Sequence, residues 1–223
     1  MADDAFSADE IAAGQRLFAE TWFFLKGVVG LEHLPGTDRP EVAFAGRSNV
    51  GKSSLINALT GVHGLARASN TPGRTQELNF FLPEGQALYA VDLPGYGFAK
   101  APKDKVEAWT SLIKDYLRGR PNLARVMLLI DSRHGIKKVD REIMTLLDEA
   151  AVAYQVVLTK ADKVSDAAIA VVLRETEAAL KKHAAAFPVV LVTSVDKNIG
   201  IVETRATIAA VANENARSNQ PGR

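Results

Sequence analysis

The chain has 223 residues, 47% of them apolar and 24% charged, and its formal net charge is +1. This length and balance indicate one soluble domain with a sizeable core, and the small charge argues against a protein that coats nucleic acid indiscriminately. The absence of cysteine excludes a disulfide framework and a thiolate metal site. The N-terminus is acidic and the most apolar stretch is broken by Lys26, so we expect a cytoplasmic protein with neither membrane nor DNA among its partners.

The first predicted element is a helix close to the N-terminus. Ser7 and Glu10 form a capping-box pattern, and apolar Phe18, Trp22 and Leu25 follow at helical spacing. We therefore expect a helix that precedes the main domain and packs on it.

Apolar runs typical of buried strands recur along the rest of the chain and alternate with helical patterns. They lie at residues 42–45, 76–82, 88–91, 126–130, 154–158 and 189–192. Strands that alternate with helices predict an α/β fold of the P-loop NTPase (G domain) kind, with about six mostly parallel strands and helices on both faces. The turn at 83–85 predicts a hairpin and thus one antiparallel edge strand.

This pattern divides the chain into three segments. Residues 1–34 form the N-terminal helix and lead-in, and residues 35–212 form the nucleotide-binding domain. The polar residues 213–223 are expected to be a disordered tail.

A phosphate-binding loop is predicted at residues 46–53, GRSNVGKS, where two glycines with four residues between them precede Lys and Ser. Gly46 and Gly51 let backbone N–H groups point at phosphates, Lys52 reaches the β and γ phosphates, and Ser53 ligates Mg²⁺. The alternative, a glycine turn beside a surface lysine, is disfavoured by the position between a strand and a helix. The predicted contacts in this loop are Gly46, Arg47, Ser48, Asn49, Val50, Gly51, Lys52, Ser53 and Ser54.

A second phosphate-site loop, DLPG at 92–95, closes the strand 88–91. Asp92 stands where a second magnesium carboxylate belongs, and Gly95 is expected to donate its backbone N–H to the γ phosphate. Leu93 and Pro94 complete the loop.

The segment TPGRT at 71–75 lies between these two loops. Thr75 is the candidate switch threonine that completes the magnesium shell, with Thr71 as the fallback, and Gly73 and Arg74 lie beside it in the predicted site. A proline-glycine turn with incidental hydroxyls is the alternative.

The tetrapeptide TKAD at 159–162 follows a buried strand and fits the guanine-reading pattern [NT]KxD. The Asp162 carboxylate can accept from both guanine donors, N1–H and the exocyclic amine, whereas adenine N1 would repel it. Lys160 is expected over the base plane and Thr159 as a brace between loops, with Ala161 between them and Asp162. GTP or GDP is therefore the predicted ligand.

A weaker guanine signal follows the last apolar run. Thr193 and Ser194, with Val195 after them, match the S-A-type loop whose backbone N–H contacts guanine O6.

Taken together, these residues resemble the EngB (YihA or YsxC) GTPases of bacterial ribosome assembly, within the Era and TrmE-like group. The resemblance runs through GRSNVGKSSLINAL, TPGRTQELNFF, DLPGYGFA and TKAD and covers about residues 20–210. It implies a small monomeric GTPase that acts on the large ribosomal subunit and is needed for normal cell division and septation.

In chemical terms, Lys52, Thr75 and Gly95 are the predicted catalytic residues, and Ser53, Thr75 and Asp92 the predicted magnesium ligands. The alternatives are a noncatalytic module that binds GTP or GDP, and a membrane-linked GTPase of the septin or dynamin sort.

The expected catalytic site departs from Ras-like enzymes at Tyr96, which stands where a glutamine orients the attacking water. Hydrolysis by the isolated protein is therefore expected to be no faster than on the order of 10⁻⁴ per second.

Similar GTPases of the TrmE kind hold a monovalent cation with an asparagine of the phosphate loop. Asn49 occupies that place here, so K⁺ is a possible further cofactor, and local shaping of the loop is the alternative role.

A basic stretch is the candidate surface for rRNA phosphates, with a solvated helix face as the alternative. Its residues are Lys100, Lys103, Lys105, Lys114, Arg118 and Arg120.

Overall fold

The computed structural model describes residues 6–67, 77–97 and 103–218. Its seven strands are β1 (Trp22–Val28), β2 (Glu41–Gly46), β3 (Leu78–Pro83), β4 (Tyr89–Asp92), β5 (Leu123–Asp131), β6 (Tyr154–Thr159) and β7 (Leu191–Val192). Its six α-helices are α1 (Ala8–Ala19), α2 (Lys52–Thr60), α3 (Lys103–Gly119), α4 (Lys138–Glu149), α5 (Asp166–Leu180) and α6 (Ile201–Ser218). Within the described ranges no helix is both long and apolar enough to cross a membrane.

All seven strands form one sheet in the order β1-β3-β4-β2-β5-β6-β7. Strands β4, β2, β5, β6 and β7 pair in parallel, and β3 runs antiparallel to both of its neighbours. The predicted P-loop α/β fold and the predicted β3–β4 hairpin are confirmed. The carboxyl ends of the parallel strands consequently meet at one edge of the sheet.

Two hydrophobic clusters cover the two faces of the sheet. Residues of β2 alternate between them: Ala43 and Ala45 face the cluster of α3, α4 and α5, while Val42 and Phe44 face the cluster of α1, α2 and α6. This period of two explains why an unbroken apolar run is buried on both faces.

The N-terminal helix is shorter than predicted, and the prediction that it includes Trp22 and Leu25 is wrong. The capping box of Ser7 and Glu10 is present, but α1 ends at Ala19 because Glu20 is extended. Trp22 and Leu25 lie in β1, which pairs with β3. The aromatic, branched sequence there favours a strand, and Trp22 still stacks on Phe18 with ring centroids 5.1 Å apart.

Strand β1 also corrects the expected sheet. It is the seventh strand where about six were expected, and it takes the edge position, so β3 is an interior strand. At the other end of the chain α6 continues to Ser218, and the disordered tail was predicted to start too early at 213. Residues 219–223 lie outside the described residues.

A buried group of three polar side chains, here called the amino-end cluster, lies where β2 begins. It consists of Glu41, Tyr116 and Arg120. The Tyr116 hydroxyl donates to Glu41 Oε2 at 2.8 Å, and Arg120 Nε donates to Glu41 Oε1 at 2.9 Å. Arg120 Nη2 also donates to the carbonyls of Pro35 and Gly36 at 2.9 and 3.0 Å. This cluster ties α3 to the start of the sheet.

The amino-end cluster overturns one part of the predicted basic surface. Arg120 is only 8% exposed and is paired with Glu41, so it is not available to an external phosphate. Arg118 Nη2 lies 3.7 Å from Glu149 Oε2 at the surface, and Lys114 is exposed. Lys100 lies outside the described residues, as do the side chains of Lys103 and Lys105.

Candidate nucleotide-binding site

The predicted site loops gather at the carboxyl edge of the parallel strands. Strand β2 leads into the loop 46–51, β4 into 93–97, β6 into 160–163 and β7 into 193–199. Ligands of open parallel sheets bind outside this edge because the strands all present their loops there. The topology therefore brings together segments that are more than a hundred residues apart in sequence.

The phosphate loop makes a tight turn between β2 and α2. The Val50 N–H donates to the Arg47 carbonyl at 3.1 Å, Asn49 has φ 63°, and Gly51 has φ 105°. Only glycine adopts the Gly51 conformation without strain. Helix α2 begins at the next residue, Lys52, so its first N–H groups and its positive dipole end face the concave side of the loop.

Lys52 and Asp92 meet at the centre of this edge. The Lys52 Nζ contacts Asp92 Oδ1 directly, and both side chains are largely buried. Burial raises the pKa of Asp92, and the neighbouring ammonium group of Lys52 opposes that rise. The pairing places a carboxylate beside the phosphate loop, as the prediction requires.

The hydroxyl and carboxylate groups around Lys52 are suited to bind a magnesium ion and the phosphates that it accompanies. Ser48 Oγ is buried in the phosphate loop and, as far as the described residues go, has no hydrogen-bond partner. Ser53 follows Lys52 in the first turn of α2, and Asp92 closes β4. Hydroxyl and carboxylate oxygens are ligands that Mg²⁺ prefers. Ser53 and Asp92 would hold the ion, and Ser48 shows that the loop keeps an unsatisfied polar atom where a ligand is expected.

Gly95 packs directly on the phosphate loop. A Cβ atom at this position would lie 3.1 Å from Ser48 Oγ and 3.2 Å from the Ser48 nitrogen. Leu93 is buried, and its N–H donates to the Phe44 carbonyl at 3.0 Å. The DLPG loop therefore packs closely on the phosphate loop, and a side chain at position 95 would push Ser48 away by a few tenths of an ångström.

The Tyr96 side chain is buried in the core. It therefore cannot take the place of the glutamine that orients the attacking water in Ras-like enzymes. It is 3% exposed, and its hydroxyl donates to Asp140 Oδ1 at 2.9 Å. Arg47 Nε lies 3.7 Å from Asp140 Oδ2. Burial, followed by the Asp140 carboxylate, raises the pKa of Tyr96 well above its usual range. We call Tyr96, Asp140 and Arg47 the carboxyl-end cluster.

The brace predicted for Thr159 is present. Its hydroxyl lies 2.7 Å from the Val50 carbonyl of the phosphate loop and 3.3 Å from the Ile130 carbonyl. Lys160 has φ 58°, and its Nζ donates to the Asn49 carbonyl at 2.6 Å. The predicted base-reading loop and the predicted phosphate loop are thus bonded to each other at two points.

Asp131 is a site residue that the sequence reasoning missed. It ends β5, is 3% exposed, and accepts from Lys160 Nζ at 3.0 Å. Arg133 donates to both of its oxygens. Burial opposes ionisation, but the hydrogen bonds from Arg133 and Lys160 together hold the pKa of Asp131 well below its usual range. Its position at a parallel-strand end was the available signal.

Asp162 is held in place by two neighbours. Lys163 Nζ lies 2.8 Å from Asp162 Oδ2, and the Ser194 hydroxyl donates to Asp162 Oδ1 at 2.5 Å. The hydrogen bond from Lys163, then that from Ser194, lowers the pKa of Asp162. The carboxylate is therefore ionised at neutral pH, which is the state that accepts hydrogen bonds from guanine.

The loop after β7 does not offer the backbone N–H groups of Thr193 and Ser194 to guanine O6, contrary to the sequence prediction. The Thr193 N–H donates to the Leu158 carbonyl at 2.7 Å, and the Ser194 N–H donates to the Ile199 carbonyl at 3.0 Å. Neither is available for guanine O6, which leaves the exposed Val195 as the candidate of the three. The Thr193 carbonyl accepts from the Ala161 N–H at 3.1 Å and so joins this loop to the TKAD loop.

The remaining predicted site residues divide into two groups. Arg47, Ser54 and Pro94 lie in the segments that surround Lys52. Thr71, Gly73, Arg74 and Thr75 lie outside the described residues, so their roles in the switch and the magnesium shell stay predictions.

A parallel sheet that carries a phosphate loop before a helix, with a guanine-type loop bonded to it, defines a P-loop GTPase domain. A family model described as "50S ribosome-binding GTPase" matches residues 41–160. The probable GTP-binding protein EngB of Chelativorans sp. (strain BNC1) is 57% identical over 213 residues, which cover 92% of this chain and 95% of that protein. The chain belongs to the EngB family of GTP-binding proteins.

Two further comparisons agree with this assignment, and a third shows the fold alone. The probable GTP-binding protein EngB of Rhodospirillum rubrum is 60% identical over 214 residues, covering 94% of this chain and 93% of that protein. A crystal structure of a probable GTP-binding protein engB superposes with a TM-score of 0.61 at 25% identity, covering 78% of this chain and 99% of that one. Aquifex aeolicus Era bound to GDP and AlF4⁻, at 21% identity and a TM-score of 0.58, covers 77% of this chain and 56% of that one and shares the fold.

Proposed function

We propose that this protein hydrolyses GTP to GDP and phosphate and works as a switch in the assembly of the large ribosomal subunit. One observation carries the proposal: the Thr159 hydroxyl and the Lys160 ammonium bond the base-reading loop to the carbonyls of Val50 and Asn49. Guanine and phosphates would therefore be bound by one connected unit, and loss of either loop would weaken both.

Each residue of this unit has a distinct task in the proposed reaction. Asp162 accepts from the base, and the start of α2 and Lys52 bind the phosphate chain. The Gly95 N–H meets the γ phosphate. Ser53 and Asp92 would hold magnesium, which when bound neutralises charge that develops on the phosphates. Tyr96 does not replace the missing glutamine, because its ring is buried and its hydroxyl donates to Asp140.

Turnover tests this proposal directly. Phosphate release from GTP is measured with magnesium present, with and without purified ribosomal subunits. We expect a slow basal rate that Lys52→Ala abolishes, whereas Lys181→Ala, a matched loss of one exposed lysine outside both the site and the basic stretch, leaves it unchanged. Absence of phosphate release even with ribosomal subunits would instead favour a noncatalytic GTP-binding module.

The ribosomal part of the proposal is supported by the family description, 50S ribosome-binding GTPase, and by the EngB relatives. A cytoplasmic location and a role in normal cell division belong to the same proposal. We expect the protein to co-sediment with large subunits when a nonhydrolysable GTP analogue is bound. Co-sedimentation should be weaker with GDP. Equal co-sedimentation with both nucleotides would remove the switch from the proposal.

The surface that meets rRNA is proposed to include Lys114 and Arg118, together with Lys100, Lys103 and Lys105. Phosphate contacts make affinity fall with salt, with a slope close to the number of ion pairs. Reversing the charges of Lys114, Arg118 and Lys103 should weaken subunit binding and flatten that slope. Binding that is unchanged after the reversal would leave the stretch as a solvated face.

Potassium is proposed as an activator of hydrolysis, held beside the phosphates by Asn49. Rates in potassium and sodium at equal ionic strength are compared for the wild type and for Asn49→Ala. We expect faster hydrolysis in potassium for the wild type alone. Equal wild-type rates in both salts would exclude the cation.

A further inference from the structure

Three groups from three separate segments converge on the Asp140 side chain, which is completely buried. The Tyr96 hydroxyl donates to Oδ1 at 2.9 Å, and the Lys137 N–H donates to Oδ2 at 2.8 Å. Arg47 Nε lies 3.7 Å from Oδ2. Asp140 therefore joins the phosphate loop, the residue after DLPG, and the first turn of α4.

The backbone around Tyr96 is fixed to the phosphate loop on both sides. Its N–H donates to the Gly46 carbonyl at 3.2 Å, and its carbonyl accepts from the Ser48 N–H at 3.1 Å. The preceding residue, Gly95, packs against Ser48. Any shift of Tyr96 must consequently move Gly95 relative to the phosphate loop.

We propose that Asp140 is a positioning residue for the γ phosphate: through the Tyr96 hydroxyl it holds Gly95 against the phosphate loop, and so sets the affinity for GTP relative to that for GDP. In the proposed function the Gly95 N–H donates to the γ phosphate, which GDP lacks. A displaced Gly95 should therefore lower the affinity for GTP and leave the affinity for GDP unchanged. This inference rests on the proposed function, since it concerns the same nucleotide site.

A purely structural role for Asp140 makes a different prediction. The amino-end cluster has the same chemistry, a buried tyrosine hydroxyl that donates to a buried carboxylate paired with arginine, at the opposite edge of the sheet. If the carboxyl-end cluster only stabilised the fold, the loss of either hydroxyl would change stability and leave nucleotide preference alone. Tyr116→Phe is therefore the matched control for Tyr96→Phe.

The experiment measures dissociation constants of fluorescent GDP and of a fluorescent nonhydrolysable GTP analogue, together with the melting temperature. For Tyr96→Phe and Asp140→Asn we expect affinity for the GTP analogue to fall by about two- to thirtyfold, the range found for residues that couple sites. GDP affinity should stay within about twofold. Tyr116→Phe should lower the melting temperature and change neither affinity.

Equal changes for both nucleotides in Tyr96→Phe, or no change in either, would overturn the positioning role. Tyr96→Phe removes only a hydroxyl and keeps the ring in the core, so it decides the question even if Asp140→Asn does not fold. Failure of this inference is distinct from failure of the proposed function: binding constants decide the former, and phosphate release by the wild type decides the latter.

Discussion

At each end of the parallel strands, a buried carboxylate accepts from a buried tyrosine hydroxyl and lies beside an arginine, but the surroundings of the two clusters differ. At the amino edge, Glu41 accepts from Tyr116 and Arg120, and Arg120 also binds two carbonyls of the lead-in to β2. At the carboxyl edge, Asp140 accepts from Tyr96 and lies near Arg47 of the phosphate loop. The same chemistry therefore anchors the scaffold at one edge and borders the nucleotide site at the other. Position in the fold separates the two roles.

The largest effect is expected at the amino edge. Glu41→Ala leaves the Arg120 guanidinium buried without its carboxylate, and loss of one partner of a buried ion pair costs about 3–5 kcal/mol. Urea denaturation should show this loss in the free energy of unfolding. At urea concentrations below the unfolding transition, the ratio of the affinities for GTP and GDP should be unchanged. A loss under about 1 kcal/mol would mean that the carbonyls of Pro35 and Gly36 satisfy Arg120 alone.

At the carboxyl edge, specificity should change more than stability. Asp162→Asn replaces an acceptor with a donor, and two charge-assisted hydrogen bonds correspond to a preference of about 10²-fold or more for guanine. Competition assays should show weaker GDP binding and a shift towards xanthosine diphosphate. The matched variant Asp196→Asn, at a carboxylate that also binds Lys163, should leave the preference as it is. Displacement of GDP by ATP from the wild type as readily as by GTP would contradict the assignment.

Asp131 should give a pH-dependent effect. Its pKa is lowered in the folded protein, so the stabilisation is fully present above the unfolded pKa of about 3.9 and is lost as pH falls towards the folded value. Asp131→Asn should lower the free energy of unfolding by about 1–2 kcal/mol at neutral pH. The difference from the wild type should begin to shrink below about pH 5 and should continue to shrink as the pH falls towards the folded pKa. A pH-independent difference would assign the effect to packing.

The smallest effect is expected from the brace between loops. Thr159→Val removes the hydroxyl that bonds the Val50 carbonyl and keeps the side-chain shape, so stability should fall by about 1 kcal/mol. Binding of both GTP and GDP should weaken because the two loops are no longer joined there. Thr193→Val is the control, since the Thr193 hydroxyl donates to the Leu158 carbonyl within the sheet region and does not reach the phosphate loop. Equal binding losses in both variants would argue against a brace.

Sequence reasoning worked best where a fixed spacing reflects a fixed chemistry. The phosphate loop, DLPG and TKAD were located because their residues must stand in order along the chain to meet one ligand. Asp131 was missed because a single aspartate at a strand end has no spacing pattern, although the fold places it beside Lys160. Sequence also could not show that the Ser194 N–H is already bonded within its own loop.

The errors in the fold have a similar origin. Trp22 and Leu25 are spaced like helix residues, but the pairing partner that makes β1 a strand lies over fifty residues later in β3. Arg120 was assigned to a basic surface because charge along a sequence does not reveal burial, and the carboxylate that neutralises it belongs to β2. In both cases the structure depends on contacts with residues that are distant in the sequence.

The packing of α1 on α6 has a consequence for the order in which the chain can complete its fold during synthesis. The two helices approach so closely at Gly14 that a Cβ atom there would lie 2.5 Å from the Ala206 nitrogen. Leu17 and Phe18 of α1 are buried in the cluster that α6 helps to form. During synthesis α1 must therefore wait, with the part of its apolar face that α6 covers still exposed, until α6 has emerged.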